Sequence, residues 1–230
     1  MQLFSGFKEV IFGSVGYIVT YKKQFVKALC IPFVIYLVMD AILAFQPEAE
    51  SLTTVMIVLI FFSLFVQTII AVITHRMVLL GPDSISEWGS FKWSMRETSF
   101  LLRFIGLGFM AGLLMILGLF GIAGFGVALI LMLWIVGRCS LAFPAIAIDK
   151  GITFKESWAL TKDYQLLMAL AVIVFPIAVT TPVIMLLEMV PYSFLLVSAV
   201  SMLAVVLAVT ALSVSYQYIV KGVGKQVEVS

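Results

Sequence analysis

Long apolar runs along this chain are separated by short polar intervals. Six runs of about 20 residues, at 25–45, 52–74, 100–120, 122–143, 165–187 and 192–219, are each long enough to cross a hydrocarbon layer as a helix. The cleanest, 52–74, holds no charged residue, and His75 and Arg76 follow it. Ahead of the first run, Leu3, Phe7, Val10, Ile11, Ser14, Tyr17, Ile18, Tyr21 and Phe25 recur at helical spacing, while Lys8, Glu9, Lys22 and Lys23 take other faces. That pattern predicts an amphipathic helix over 1–24 lying in a membrane interface. The intervals at 46–50 and 188–191 are minimal turns, whereas those at 81–99 and 148–164 are longer. Each longer interval offers a helix start, because Ser84 with Glu87 and Thr153 with Glu156 have capping-box spacing. Trp88, Trp93 and Trp158 then fall where amphipathic rings favour the head-group layer. The expected fold is all-α and polytopic, with six transmembrane helices, an N-terminal amphipathic helix and two short cytoplasmic interfacial helices. The loops are too short for a second unit, so residues 1–230 form one membrane domain.

Composition agrees with this pattern: 63% of the residues are hydrophobic and 11% charged, far from the balance of a soluble domain. The net charge of +2 matters less than its placement. Four cation groups (Lys8, Lys22, Lys23 and Lys27; Arg76, Lys92, Arg96 and Arg103; Arg138, Lys150, Lys155 and Lys162; Lys221 and Lys225) all fall on one side of the six-span layout. The positive-inside rule therefore puts both termini and both longer intervals in the cytoplasm. No signal peptide is expected, since Lys8 and Glu9 interrupt the start. Basic clusters at an inner leaflet attract anionic lipid by about 1 kcal/mol per residue. A nucleic-acid partner is excluded, because no basic surface interleaved with aromatic residues lies outside the apolar runs. One histidine, two cysteines and no Cys–His cluster leave no basis for a metal, haem or other cofactor. Cys30 and Cys139 are expected as small apolar core residues without a disulfide.

A shift of about 62 residues aligns Arg76 with Arg138, Leu79 with Leu141, Pro82 with Pro144, Glu87 with Asp149 and Gly89 with Gly151. This internal repeat predicts two parallel hairpins, each ending in an arginine, a helix-stopping proline and a capped interfacial helix. Membrane helices in general also end with a cation and a proline, and the last hairpin lacks the element.

The stretch 138–161 is the most distinctive in the chain. Leu141, Ala142 and Pro144 form a Leu-Ala-x-Pro helix end; Asp149, Lys150 and Gly151 form an acidic turn; Ser157, Leu160 and Thr161 form a Ser-x-x-Leu-Thr run into the next span. About a tenth of the chain thereby resembles the hallmark region of YciC-type bacterial inner-membrane proteins. It is also similar to the membrane domain attached to some glycerophosphodiester phosphodiesterases. The resemblance implies a bacterial inner-membrane location and an all-helical bundle. It carries no activity, because the phosphodiesterase catalytic domain has no counterpart here.

Arg138 is the sharpest candidate residue: a cation inside a span costs roughly 2.5–3.5 kcal/mol at mid-helix. It binds a lipid phosphate, pairs with Asp149 or Glu97, or snorkels to the head groups. With Arg76, Asp149, Lys150 and Trp158 it makes up the expected contact surface for lipid or a partner. Asp40, in the outer part of span one, serves proton or cation coupling or, as preferred, faces the outer interface with Glu48 and Glu50. Pro176 and Pro182 flank Thr180 and Thr181 in span five, a broken-helix pattern that lines a site in some transporters but more often only kinks a helix. Small-residue stripes at Gly108 and Gly112, and from Ser201 to Ser215, predict close helix packing within the bundle or a homodimer face. No nucleophile elbow, metal set or carboxylate pair is visible, so the chain is expected not to be an enzyme. The expected role is a scaffold or lipid-associated envelope factor acting at the cytoplasmic leaflet. The alternative is a small transporter or channel for an unknown solute using span five.

Overall fold

A computed structural model describes residues 2–44, 54–86, 88, 93–190 and 193–228. Outside it fall the acidic turn 46–50, Glu87 and Gly89 of the repeat, Lys92, Pro191 and Tyr192, and the side chains of Leu3, Lys221 and Lys225. The fold is an all-α polytopic membrane bundle, without strands among the described residues. Its helices are α1 (Gln2–Thr20), α2 (Lys22–Ala44), α3 (Thr54–Leu80), α4 (Met95–Met115), α5 (Gly121–Cys139), α6 (Ala142–Ala147), α7 (Phe154–Leu160), α8 (Gln165–Glu188) and α9 (Phe194–Glu228). The described residues contain five stretches long and apolar enough to cross a membrane. One of them, Met95–Ala147, has 53 residues; as a straight helix it would reach about 80 Å. Instead it doubles back. A 3-10 turn over Ile116–Phe120 leads into Gly121 at φ 81°, where a side chain would be strained. A methyl group on Gly124 would land 2.0 Å from the Leu117 carbonyl oxygen. As a result Phe100, early in α4, stacks 5.0 Å from Phe143, beyond the end of α5.

α9 is the pole of the bundle and touches α1, α2, α3, α6 and α8. Burial concentrates at the end that carries Arg76 and Arg138: ten residues of α3 between Val66 and Val78 are buried. Toward the other end, large apolar side chains such as Phe61, Leu119 and Ile122 point outward, as helices solvated by acyl chains do. α1 packs Val10 and Ser14 onto the bundle while Phe4, Phe12 and Val19 on its opposite side stay exposed. The Tyr17 hydroxyl donates to the Met77 carbonyl, and burial pushes this phenol up to about 12. Gln217 donates to Val78 O at 3.2 Å. Two carbonyls in the last turn of α3 are thus bonded from α1 and α9, the Met77 one in addition to the Gly81 N–H at 3.0 Å.

Several boundaries move. The second span does not stop at His75; it runs to Leu80 and ends at Gly81, whose φ is 96°. The third begins five residues early, at Met95, and the fourth ends at Cys139 rather than 143. Pro144 therefore does not stop that span: it lies inside the separate helix α6, all six residues of which are buried. In the first inner segment the structure has a 3-10 turn, Pro82–Ser84, where Ser84 donates to Gly81 O at 2.6 Å. The capped start expected there depends on Glu87, outside the described residues. The last helix extends nine residues past 219, to Glu228.

The glycine stripe of α4 is also placed differently: methyl groups on Gly108 and Gly112 would meet nothing within 4 Å, so this stripe packs no neighbour among the described residues. The α9 stripe does pack inside, with Ala211 and Ser215 fully buried. Cys139 is buried as expected, but Cys30 is exposed.

Candidate functional site

The segment from α6 through α7 is gripped by arginines from three helices. Arg76 of α3 donates to the Ala147 carbonyl at 3.0 Å. Arg103 of α4 donates to Ile152 O at 2.5 Å, and Arg138 of α5 to Trp158 O at 2.8 Å. In the reverse direction, Ser157 donates to Arg138 O at 2.7 Å, and the Thr161 hydroxyl, which bonds Ser157 O at 2.8 Å, lies 3.3 Å from the same Arg138 carbonyl. Both hydroxyls are fully buried. Charged donors on helix-end carbonyls are favoured by the helix dipole, and a hydrogen bond to a charged group contributes about 1.5–3 kcal/mol.

Asp149 is the hub. α6 closes in a Schellman motif, with Lys150 N–H to Ala145 O at 2.8 Å and Asp149 N–H to Ile146 O at 2.9 Å. This places Asp149 at the left-handed position (φ 61°), where glycine is the usual choice. An aspartate tolerates that backbone better than most residues, and its carboxylate has work that glycine cannot do. It meets Arg76 at 3.3 Å and Arg96 at 3.1 Å. Arg96 also holds Glu97 at 3.0 Å, and Glu97 is itself buried at the start of α4. There it closes a capping box by accepting from the Ser94 backbone N–H at 2.8 Å and from the Ser94 hydroxyl.

Arg138 has neither acid partner considered for it, since Asp149 and Glu97 belong to Arg76 and Arg96. It is also not deep in a span: it occupies the last turn of α5, so the mid-helix insertion cost does not apply. Its guanidinium lies against a pair of indoles, 6.0 Å from Trp134 and 5.1 Å from Trp158, and the two rings pack edge-on to each other at 4.9 Å. Arg76 and Arg138 therefore share a task, bonding the carbonyls of a short helix, but their targets do not follow the 62-residue offset.

α7 starts as its sequence predicts, with a complete Thr153–Glu156 capping box. Hydrogen bonds from the Thr153 N–H and hydroxyl hold the Glu156 carboxyl below its ordinary value of 4.5. A carboxylate with a lowered folded-state pKa stabilises above its unfolded value, and that contribution is lost as pH falls through the folded one. Amide exchange in α7 is therefore expected to be slower in the parent than in Glu156→Gln above pH 4.5, with the difference closing as the pH drops below that. An unchanging difference would show that the carboxylate is not the cause.

The polar pair proposed in span five is not brought into one site. Thr180 turns its hydroxyl to Pro176 O at 2.8 Å, while Thr181 is exposed. α8 runs unbroken through both prolines; the distortion is a π-helical stretch at Ala169–Val174, just before Pro176, where proline cannot donate back to the preceding turn. Asp40 accepts from Ser198 of α9. With Glu188 and Ser193 it lines a pocket of about 550 Å³ formed by the Asp40 end of α2 and the start of α9.

On the arginine side, Met95, Arg96, Ser99, Arg103, Ile146, Asp149, Lys150 and Gly151 enclose a second pocket, of about 250 Å³. It joins Asp149 and Lys150 to two cations, Arg96 and Arg103, that the sequence reading did not single out. Two signals for them were present: Ser94 and Glu97 have the same capping spacing as Thr153 and Glu156, and Arg96 and Arg103 are seven apart, on one face of a helix. Comparison with protein-family models, with curated proteins and with solved structures finds no match to this chain.

Proposed function

We propose that the chain is a six-span protein of a bacterial inner membrane, with both termini in the cytoplasm. It acts without catalysis as a lipid-associated envelope factor that holds an anionic phospholipid head group at the inner leaflet. Counting α4 and α5 as separate crossings gives the six. The one-sided cations support the orientation, and the YciC-type resemblance of 138–161 supports the location. The observation that carries the reading is the pocket between α4 and the turn after α6. Three cations, Arg96, Arg103 and Lys150, line it against a single carboxylate, Asp149, with Met95 and Ile146 as apolar walls. Lys150 is exposed and makes no ion pair among the described residues. A phosphate suits such a set, because arginine forks and a mobile ammonium give charge-assisted bonds. Arg76, Arg138 and Trp158 serve the same surface by holding its backbone in place. The transport alternative loses the polar lining expected of it, since Thr180 bonds its own helix and Thr181 faces outward.

The test compares phosphatidylglycerol retained through purification by the parent, by the double variant Arg103→Gln/Lys150→Gln, and by the control Lys22→Gln/Lys23→Gln. At about 1 kcal/mol for each pocket cation lost, the pocket variant should retain about thirtyfold less, and the control, whose two lysines do not line the pocket, nearly as much as the parent. Equal retention by all three would overturn the assignment.

A further inference from the structure

A separate cavity of about 200 Å³ lies among α3, α4, α6, α8 and α9. Its wall is almost wholly carbon, from residues such as Ala71, Phe100, Leu107, Phe143 and Leu212. The exception that matters is His75, the one histidine in the sequence, 1% exposed. Its Nδ1 lies 2.7 Å from the Ser213 oxygen, and the Ser213 hydroxyl already donates to Val209 O at 2.9 Å. A serine hydroxyl has one proton. With that proton on Val209 O, Nδ1–H is the donor to Ser213, and a neutral ring then carries its lone pair on Nε2. That nitrogen has no partner among the described residues. Three other polar residues line the wall: Thr68 donates to Leu64 O, Ser140 donates to Gly137 O, and Gln67 is partly exposed at its edge. Phe104 lines the same cavity and is 43% exposed on α4, so the cavity opens beside it, on the flank of a membrane-crossing stretch rather than at a helix end.

We propose that this cavity binds a lipid-soluble molecule bearing one hydroxyl donor, such as an alkylphenol. The molecule enters from the bilayer beside Phe104, its carbon skeleton covers the apolar wall, and its O–H donates to His75 Nε2. A hydrocarbon would fill the space and leave the buried acceptor unmet.

The single histidine makes the test direct. Untagged protein labelled with nitrogen-15 only at histidine gives one imidazole. Its spectrum should show a protonated Nδ1 and an unprotonated Nε2. Titration with 4-hexylphenol should move the Nε2 resonance upfield while Nδ1 stays, and hexylbenzene should leave both in place. Leu107→Trp, which fills the cavity, should abolish the phenol response and keep the Nδ1–H signal. If that variant does not fold, the parent titration still decides. A protonated Nε2 in the free protein, no movement with 4-hexylphenol, an equal movement with hexylbenzene, or a response that survives Leu107→Trp would each overturn the proposal.

Discussion

Replacing Arg138 with alanine is expected to cost about 2.5–5 kcal/mol, the sum of one charge-assisted bond to a carbonyl and two cation–π contacts. For a chain of this length that corresponds to about 5–20 °C in the thermal midpoint. The loss should be local before it is global. Arg138 joins the end of α5 to α7 in both directions, its guanidinium on Trp158 O and its own carbonyl under Ser157 and Thr161. Without the side chain, α7 keeps only the second half of that junction. Trypsin should then cut the parent slowly and the variant quickly at Lys150, Lys155 and Lys162, which flank or lie in α7. Arg138→Lys should recover little, because an ammonium has no planar face to lay against the two indoles. Full rescue by lysine would mean that charge alone, and not the planar fork, is what the site uses.

The Asp149 series separates backbone strain from charge. Asp149→Ala loses both arginine contacts and puts a residue ill suited to positive φ at 61°, for about 2 kcal/mol in all. Because the Asp149 side chain is 64% exposed, the ion pairs supply the smaller, screened share of this. Asp149→Gly also loses the pairs but relieves the backbone, and should recover roughly half of the loss. Asp149→Asn should fall near the parent, since asparagine tolerates the left-handed region and still accepts from an arginine. The parent's advantage over Asp149→Gly should shrink in salt of about 1 M, where screening acts within about 3 Å. Thermal unfolding of the four proteins at two salt concentrations gives the answer. An advantage indifferent to salt would remove the ion pairs from the account.

What the sequence made legible had causes lying close together along the chain. The apolar runs are long enough to be read as spans wherever they pack, and the Thr153–Glu156 cap depends on residues three apart. α6 was missed for the opposite reason: as an isolated string, 142–147 looks like the tail of the preceding span. It becomes a separate, wholly buried helix because the chain turns at Ser140 and Leu141 and its carbonyl end meets Arg76. The sequence offers Glu97 only as a partner for Arg138. Its burial follows from the Ser94 cap and the bond to Arg96, a local pattern open to the same reading as Thr153–Glu156.

By itself the sequence determined an all-helical membrane chain, its segments and the clustering of its cations, because hydrophobic period and charge spacing are local and each acts over a turn or two of helix. Only the tertiary structure decided which cation meets which acid, and where the three pockets lie. Arg76 and Asp149 are 73 positions apart and His75 and Ser213 are 138 apart, and no local pattern ranks such pairs against their alternatives. Arg138 had two acids to choose from by type and took neither, because the fold set it against Trp134 and Trp158. The lone pair on His75 depends likewise on a proton that Ser213 spends four residues back along α9, which only the packed bundle reveals.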